Sequence, residues 1–181
     1  MKFEDTPEYR FSLGMRPACD RVLREVFGVD AGDIERFEKP DALFILDKEH
    51  AIDMRVRLRN GAYVLGQEKT LRHQNYRYRT FTIEYWQNRH VQPQEPGEFF
   101  KIASQFYLHG YADETETDFV EWKVLDTLRF MTWLKDCRRE GLAAKTTAAR
   151  NSRAAFLPIP YDSIPPEAVI AEWRKGARLA A

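Results

Sequence analysis

The residues of this chain that are best suited to chemistry lie on either side of an Asn60-Gly61 turn. Asp53 precedes the turn, and the tripeptide Gln67-Glu68-Lys69 follows it. An aspartate followed by an acid or amide two residues before a lysine suits metal-dependent phosphodiester cleavage. The cation polarises the phosphate and lowers the pKa of the attacking water, and a neighbouring positive charge stabilises the charge that develops. We therefore expect Asp53 and the side-chain oxygen of Gln67 to hold a cation, with Lys69 supplying the positive charge.

Two strands of a β-hairpin must position these residues, and the register of the hairpin decides which of them meet. The Asn60-Gly61 pair is typical of tight two-residue turns. A strict turn of this kind places Asp53 opposite Glu68, and Gln67 and Lys69 then point to the other face of the sheet. A single bulge would reset this alignment, and bulges are frequent near active sites. The sequence leaves open whether Gln67 or Glu68 faces the cation.

The pattern of the remaining chain predicts an α/β (α+β) fold with a mixed central sheet flanked by helices. A helix should begin at Pro17 and end at Gly28. Alternating apolar residues predict strands at 42–46, 51–58, 62–71, 80–86, 104–111 and 119–125. A short helix or turn at 96–101, a helix containing Leu128, Met131, Trp133 and Leu134, and a closing helix from Pro166 to Arg178 complete the prediction.

The length of 181 residues favours one domain that can bury a core without disulfide or metal staples. We expect the core to span about residues 17–134, with a C-terminal extension at 135–181. The two cysteines, Cys19 and Cys137, match no zinc spacing and indicate unpaired thiols in a reducing compartment. No apolar stretch approaches the roughly 20 residues of a membrane span. These features predict a cytoplasmic protein without a membrane partner.

The charges balance overall, with 28 Lys and Arg against 28 Asp and Glu, but they are unevenly distributed. Cations and aromatic residues alternate directly after Lys69, which would suit base stacking together with phosphate neutralisation. The candidate nucleic-acid contacts in this run are Arg72, His73, Tyr76, Arg77, Tyr78 and Arg79. The stretch 113–121 carries acids without a cation, so we expect one face that attracts phosphate and another that repels it. The alternative is that these are ordinary solvated surfaces.

At Asp53, Gln67 and Lys69 the chain resembles the PD-(D/E)XK nuclease superfamily, which includes restriction enzymes, junction resolvases and phage or repair exonucleases. The resemblance covers about residues 17–125. In that family a helix precedes a hairpin that carries Asp, then Glu or sometimes Gln, then Lys. A later segment is similar to small phage-type members, and it comprises Phe81-Thr82-Ile83-Glu84-Tyr85, Pro96-Gly97-Glu98 and Ala103-Ser104-Gln105-Phe106-Tyr107.

The resemblance implies a restriction-endonuclease-like fold and a Mg²⁺- or Mn²⁺-dependent nuclease that acts on DNA. It implies Asp53, Gln67 and the backbone carbonyl of Glu68 as metal ligands. Lys69 would orient the water and stabilise the charge on the phosphate, and Asp20 on the first helix would hold a second ion. A symmetric homodimer is expected for an enzyme that cuts two strands.

Two other functions remain open. Gln67 stands where the family usually has a carboxylate, which removes one negative charge and weakens a metal site without forbidding it. This residue favours a catalytically inactive nuclease-fold module that only binds DNA. The aromatic content of 13% motivates a third possibility, a small structural or interaction protein.

Overall fold

The computed structural model describes residues 6–37, 43–140, 147 and 153–176. Within this range the helices are α1 (Pro7–Phe27), α2 (Phe44–His50), α3 (Glu98–Lys101) and α4 (Thr127–Arg139). The strands are β1 (Ile34–Arg36), β2 (Met54–Arg57), β3 (Tyr63–Leu71), β4 (Thr80–Asn88), β5 (Glu95–Pro96), β6 (Phe106–Ala112), β7 (Phe119–Asp126), β8 (Ala155–Pro160) and β9 (Val169–Arg174). Short 3₁₀ turns lie at 31–33, 73–78, 161–163 and 166–168.

Helix α1 has clear signals at both ends. Thr6 caps its first turn, because its side-chain oxygen accepts a hydrogen bond from the Tyr9 backbone N–H at 3.2 Å. Gly28 ends the helix in the left-handed region, with φ of 65°, and its N–H donates to the Arg24 carbonyl. The predicted end is therefore correct, but the predicted start at Pro17 is wrong. Pro17 lies inside the helix, which begins at Pro7.

The strands form a large six-stranded sheet in the order β1-β2-β3-β6-β7-β9 and a small three-stranded sheet in the order β5-β4-β8. In the large sheet β3 and β6 run parallel, and the other neighbouring strands run antiparallel. The small sheet is antiparallel throughout. The expected class, a mixed central sheet with helices against it, is confirmed.

Two hydrophobic cores lie on opposite faces of the large sheet. The first core joins α1 to the sheet through Met15, Val22, Leu23, Met54, Leu108 and Val124. The second core joins the other face to the small sheet and α4 through Phe81, Ile83, Tyr107, Leu125, Phe130 and Leu157. Successive strand residues face opposite ways, so Leu108 enters the first core and Tyr107 the second. Strand β3 contributes Val64 to the edge of the first core and Leu71 to the edge of the second.

Three segments differ from the sequence-based prediction. Residues 44–46 of the expected strand 42–46 lie in helix α2, and Ala42 is outside the described residues. The expected closing helix is a 3₁₀ turn, Pro166–Ala168, followed by strand β9, which pairs with β7. Strands β8 and β9 come from the expected C-terminal extension, yet each completes one of the two sheets.

Cys19 and Cys137 are both free thiols, as expected. Among the helices that the structure describes, none is long and apolar enough to cross a membrane.

Candidate functional site

The hairpin between β2 and β3 has a three-residue loop, and this sets the register of the site. The Leu58 N–H donates to the Ala62 carbonyl at 2.8 Å, and the Gly61 N–H donates to the Leu58 carbonyl at 2.8 Å. Gly61 has a φ of 82°, the left-handed conformation that accompanies a bulge in three-residue loops. The strict two-residue register is therefore wrong.

The observed register favours Gln67, and not Glu68, as the neighbour of Asp53. Met54 pairs with Gly66, so the position opposite Gln67 is that of Asp53. Along the parallel pair, Gln67 lies beside Tyr107 and Lys69 beside His109, on the side of the second core. Gln67 and Lys69 thus share a face of β3.

Asp53 is held against β3 by both its backbone and its side chain. Its N–H donates to the Gly66 carbonyl and its carbonyl accepts from the Phe37 N–H, each at 2.8 Å. Its Oδ2 accepts from the Glu68 backbone N–H, also at 2.8 Å. Burial raises the pKa of Asp53 well above its ordinary value, and the Glu68 N–H partly opposes this shift. The negative charges of Glu68, Asp47 and Glu98 raise the pKa further.

Lys69 is fixed where the large sheet meets the small one. Its Nζ donates to the carbonyl oxygen of Thr82 on β4 at 3.0 Å. The same nitrogen lies 4.0 Å from Glu98 Oε2 and 5.1 Å from the centre of the Phe156 ring on β8. The ammonium group therefore has a defined position beside Gln67 and Glu98.

Three buried side-chain oxygens near Lys69 have no partner at hydrogen-bonding geometry within the described part of the chain. They are Gln67 Oε1, Glu98 Oε1 and the Tyr107 hydroxyl. Glu98 is only 7% exposed and Tyr107 is fully buried. Burial raises the pKa of the Tyr107 phenol, and the neighbouring Glu98 carboxylate raises it further. Because unsatisfied buried groups cost about 1–3 kcal/mol each, such a concentration makes these oxygens candidate contacts for a polar ligand or an ion.

We call Asp53, Gln67, Lys69, Glu98 and Tyr107 the candidate site. Its oxygen atoms are the ligand type that Mg²⁺ and Mn²⁺ prefer, so the residues present fit a hard divalent cation. Across the residues described, no group of three or more Asp, Glu, His or Cys side chains is arranged to hold a metal ion. A cation here would therefore also need an amide or backbone oxygen.

Sequence reasoning assigned no role to Glu98, which the fold brings into the site through Gly97. A Cβ atom at Gly97 would lie 2.6 Å from the Glu84 carbonyl oxygen, so only glycine allows this close approach of α3 to β4. Glu84 itself is half-buried near Lys69 and Lys101, and burial raises its pKa. The available signal was the single acid between Gly97 and two phenylalanines.

The structure does not bring Asp20 or the Glu68 carboxylate to Lys69. Both lie on the α1 side of the sheet, where Arg36 of β1 joins them. Arg36 donates to Glu68 Oε1 at 3.0 Å and to Oε2 at 2.9 Å, and its Nη1 lies 2.7 Å from Asp20 Oδ1. We call these three residues the Arg36 cluster. Of Glu68, only the backbone carbonyl remains as a possible ligand of a cation at the candidate site. The geometry does not support the expected role of Asp20 as the holder of a second metal ion.

Most of the expected nucleic-acid contacts are engaged within the protein. Arg72 donates to Glu116 at 2.6 Å, and Arg79 donates to both Glu121 and Asp162. Tyr76 packs against Tyr111 with ring centres 5.6 Å apart, and His73 Nδ1 lies 3.3 Å from the Ala112 carbonyl oxygen. Arg77 and Tyr78 differ, because Tyr78 is 59% exposed and the two side chains contact each other at the surface.

The expected separation of basic and acidic faces is wrong for the stretch 113–121. Three of its acids pair with arginines from distant parts of the chain: Glu116 with Arg72, Asp118 with Arg21, and Glu121 with Arg79. The acidic stretch therefore neutralises part of the basic run instead of opposing it across the molecule.

Comparison of the chain with protein-family models, with curated proteins and with solved structures finds no significant match in any of the three.

Proposed function

We propose that this protein is a divalent-metal-dependent deoxyribonuclease of the PD-(D/E)XK type, which hydrolyses phosphodiester bonds with a metal-activated water. One observation carries the proposal: the register of the β2–β3 hairpin puts Gln67 opposite Asp53, and Lys69 lies on the same face of β3 as Gln67. The mixed sheet with a helix before the hairpin also agrees with a restriction-endonuclease-like fold.

Asp53 and Gln67 Oε1 would hold the cation, together with the backbone carbonyl of Glu68 that the family resemblance implies. Bound Mg²⁺ or Mn²⁺ would polarise the phosphate and lower the pKa of the attacking water. The Asp53 carboxylate is oriented by the Glu68 N–H, so it is preorganised for a ligand on its other oxygen.

Lys69 would stabilise the charge that develops on the phosphate. Its hydrogen bond to the Thr82 carbonyl fixes the ammonium group before the substrate arrives. Because the side chain is mostly shielded from solvent, at 23% exposed, its field is screened less than that of a surface lysine.

DNA is the proposed partner, and Arg77 with Tyr78 is the part of the basic run best placed to contact it. An exposed tyrosine beside an arginine can stack on a base while the cation neutralises phosphate. A cytoplasmic homodimer that presents two sites to the two strands completes the proposal, and size-exclusion chromatography with light scattering would measure its oligomeric state.

The test is cleavage of supercoiled plasmid and end-labelled linear DNA in Mg²⁺, in Mn²⁺ and in EDTA. We expect divalent-dependent cleavage that EDTA abolishes, and a loss of about 100-fold or more in Asp53→Ala and Lys69→Ala. The exposed residues Asp136 and Lys175 offer matched controls. Asp136→Ala and Lys175→Ala should cleave normally, whereas full activity of both site variants would contradict the assignment.

A DNA-binding module without catalysis is the second candidate, and the amide at Gln67 is the observation that favours it. This module would bind DNA with an affinity that falls steeply with salt, and it would not cleave under any divalent ion. Absence of DNA binding at low salt, together with a tight oligomer, would instead favour a structural or interaction protein.

A further inference from the structure

Glu98 is a buried carboxylate whose negative charge and oxygen atoms are only partly matched by neighbouring groups. Glutamate is rarely buried to this extent without a full set of partners, yet Glu98 is 7% exposed. Its Oε2 lies 4.0 Å from Lys69 Nζ, which is beyond hydrogen-bonding distance. Its Oε1 is buried without a partner at full hydrogen-bonding geometry among the residues described, and the Tyr107 hydroxyl is a nearby donor to the carboxylate. Lys69 therefore balances part of the charge of Glu98, and the hydrogen bonding of the carboxylate is incomplete.

The same carboxylate belongs to the surroundings of Asp53. The negative charge of Glu98 contributes to the raised pKa of Asp53 and to that of Tyr107, which lies beside Gln67. Glu98 of α3 also lies 4.0 Å from Lys69 Nζ, and Lys69 shares a face of β3 with Gln67, the residue opposite Asp53. A divalent cation would satisfy both charges and the available oxygens together.

We propose that Glu98 is a direct ligand of the cation held by Asp53, and that it supplies the carboxylate that is missing at position 67. This inference rests on the proposed function. Glu84, the other acid near Lys69, is the weaker candidate because Lys69 and Lys101 both act on its charge and it is only half-buried. With Glu98, the site offers two carboxylates to a doubly charged cation, and Lys69 remains for the phosphate.

The experiment is a titration of the metal-free protein with Mn²⁺ in the absence of DNA, followed by electron paramagnetic resonance of the unbound ion. We expect Glu98→Gln to weaken Mn²⁺ affinity at least tenfold, and the exposed control Glu95→Gln to leave it unchanged. Moving the carboxylate in the double variant Glu98→Gln/Gln67→Glu should restore the affinity to within about threefold of the wild type. A double variant as weak as Glu98→Gln alone would overturn the inference.

A second variant separates a metal ligand from a simple charge partner of Lys69. Glu98→Asp keeps the negative charge but shortens the side chain by one methylene, so a ligand loses affinity and a charge partner does not. Glu98→Asp also tests the inference if Glu98→Gln does not fold. Circular dichroism would show whether each variant is folded. Wild-type Mn²⁺ affinity in a folded Glu98→Asp variant overturns the inference.

The inference and the proposed function fail in different ways. DNA cleavage and Mn²⁺ binding at wild-type levels in Glu98→Gln would overturn the role of Glu98 and leave the nuclease proposal intact. If the wild-type protein neither binds Mn²⁺ nor cleaves DNA in Mg²⁺ or Mn²⁺, both are overturned.

Discussion

Strand β3 presents Glu68 to the α1 side of the large sheet, and it presents Gln67 and Lys69 to the small sheet. On the α1 side, Arg36 donates to both oxygens of Glu68 and pairs with Asp20. On the other side, Gln67 Oε1 and Glu98 Oε1 are buried without a partner at hydrogen-bonding geometry in the described part of the chain. Asp20 Oδ1 on the α1 side also lacks ideal hydrogen-bonding geometry, but it lies 2.7 Å from the Arg36 guanidinium. Adjacent residues of one strand thus enter two polar clusters, one of which has its hydrogen-bonding groups largely paired.

This difference in pairing suggests that the Arg36 cluster is structural and that the candidate site is the functional one. Buried charges that are paired and hydrogen-bonded hold elements together, and here Arg36 connects α1, β1 and β3. Buried polar atoms that remain unsatisfied reduce stability unless a ligand completes them. Within the tripeptide Gln67-Glu68-Lys69, the acid Glu68 therefore belongs to the structural cluster, and the amide Gln67 belongs to the candidate site.

The largest expected effect is on the Arg36 cluster. Arg36→Ala removes the partner of two acids at once and leaves Glu68 in a site where it is only 18% exposed. We expect the free energy of unfolding to fall by about 3 kcal/mol, as when one partner of a buried ion pair is removed. Urea denaturation followed by circular dichroism would measure it.

Arg55→Ala is the control, because Arg55 of β2 forms an ion pair with Glu35 of β1 that is more exposed than the Arg36 cluster. Its effect should stay below about 1 kcal/mol. Equal losses of unfolding free energy in the two variants would show that the buried Arg36 cluster stabilises the fold no more than a surface ion pair. That result would contradict the interpretation of the Arg36 cluster as a structural cluster.

The next effect concerns the backbone of β3 beside both clusters. A Cβ atom at Gly66 would lie 2.0 Å from the Phe106 ring, so Gly66→Ala must push β3 or Phe106 out of place. We expect a loss of about 2 kcal/mol in urea denaturation and weaker Mn²⁺ binding, because Gln67 follows directly. Gly14→Ala in the open middle of α1 should instead stabilise the protein by about 0.5–1 kcal/mol. An unchanged urea midpoint for Gly66→Ala would mean that β3 is not packed as described.

The elements that the sequence predicts well are those determined locally. Alternation along 62–71 and the Asn60-Gly61 pair predict the hairpin, and Gly28 predicts the end of α1. The apolar run 43–46 is too short to separate a strand from a helix. Residues 169–174 become a strand because the edge of β7 supplies a pairing partner that is distant in sequence. Non-local pairing is therefore what pattern reasoning misses here.

The same division applies to the candidate site. Gln67 and Lys69 can be placed on one face because they are two residues apart on a strand. Glu98 could not be placed, because its position depends on the packing of Gly97 against β4. The pairing of Arg72 with Glu116 likewise joins residues that only the folded chain brings together. Spacing along one strand can be read from the sequence, whereas tertiary packing determines which charged side chains are paired within the protein.

The third prediction contrasts two aspartate-to-asparagine variants that should have opposite signs. Burial and neighbouring acids raise the pKa of Asp53, so ionising it at neutral pH costs stability in the folded state. In EDTA at pH 7, Asp53→Asn should raise the free energy of unfolding by about 1–2 kcal/mol, since an amide oxygen can still accept from the Glu68 N–H. Asp20→Asn should lower it, because it removes a partner of Arg36.

Added Mn²⁺ should further distinguish the stability of Asp53→Asn from that of Asp20→Asn. It should raise the urea midpoint of the wild type and of Asp20→Asn, but not that of Asp53→Asn, because only a protein that binds the ion gains stability from it. A loss of stability in both variants in EDTA would show that the Asp53 carboxylate is compensated as fully as the Arg36 cluster.

The smallest effect comes from His109, which lies beside Lys69 on β6. Its Nδ1 lies 2.5 Å from the Tyr161 hydroxyl, which donates to the His109 carbonyl oxygen, and its Nε2 accepts weakly from the Thr82 N–H at 3.5 Å. These contacts suit a neutral ring with its proton on Nδ1. Burial, and then the charge of Lys69, lower the pKa of His109 well below its ordinary value.

The sign of the pH dependence follows from this lowered pKa. Below about pH 6.5 the unfolded chain binds a proton at His109 that the folded protein does not, so stability falls as the pH falls. From pH 6.5 to 5.5 the wild type should lose about 1 kcal/mol more than His109→Gln in urea denaturation. Asp53 titrates in the opposite direction, but both proteins contain it, so its contribution cancels. Parallel pH profiles for the two proteins would mean that His109 binds its proton equally in both states, and that the site beside Lys69 is open to water.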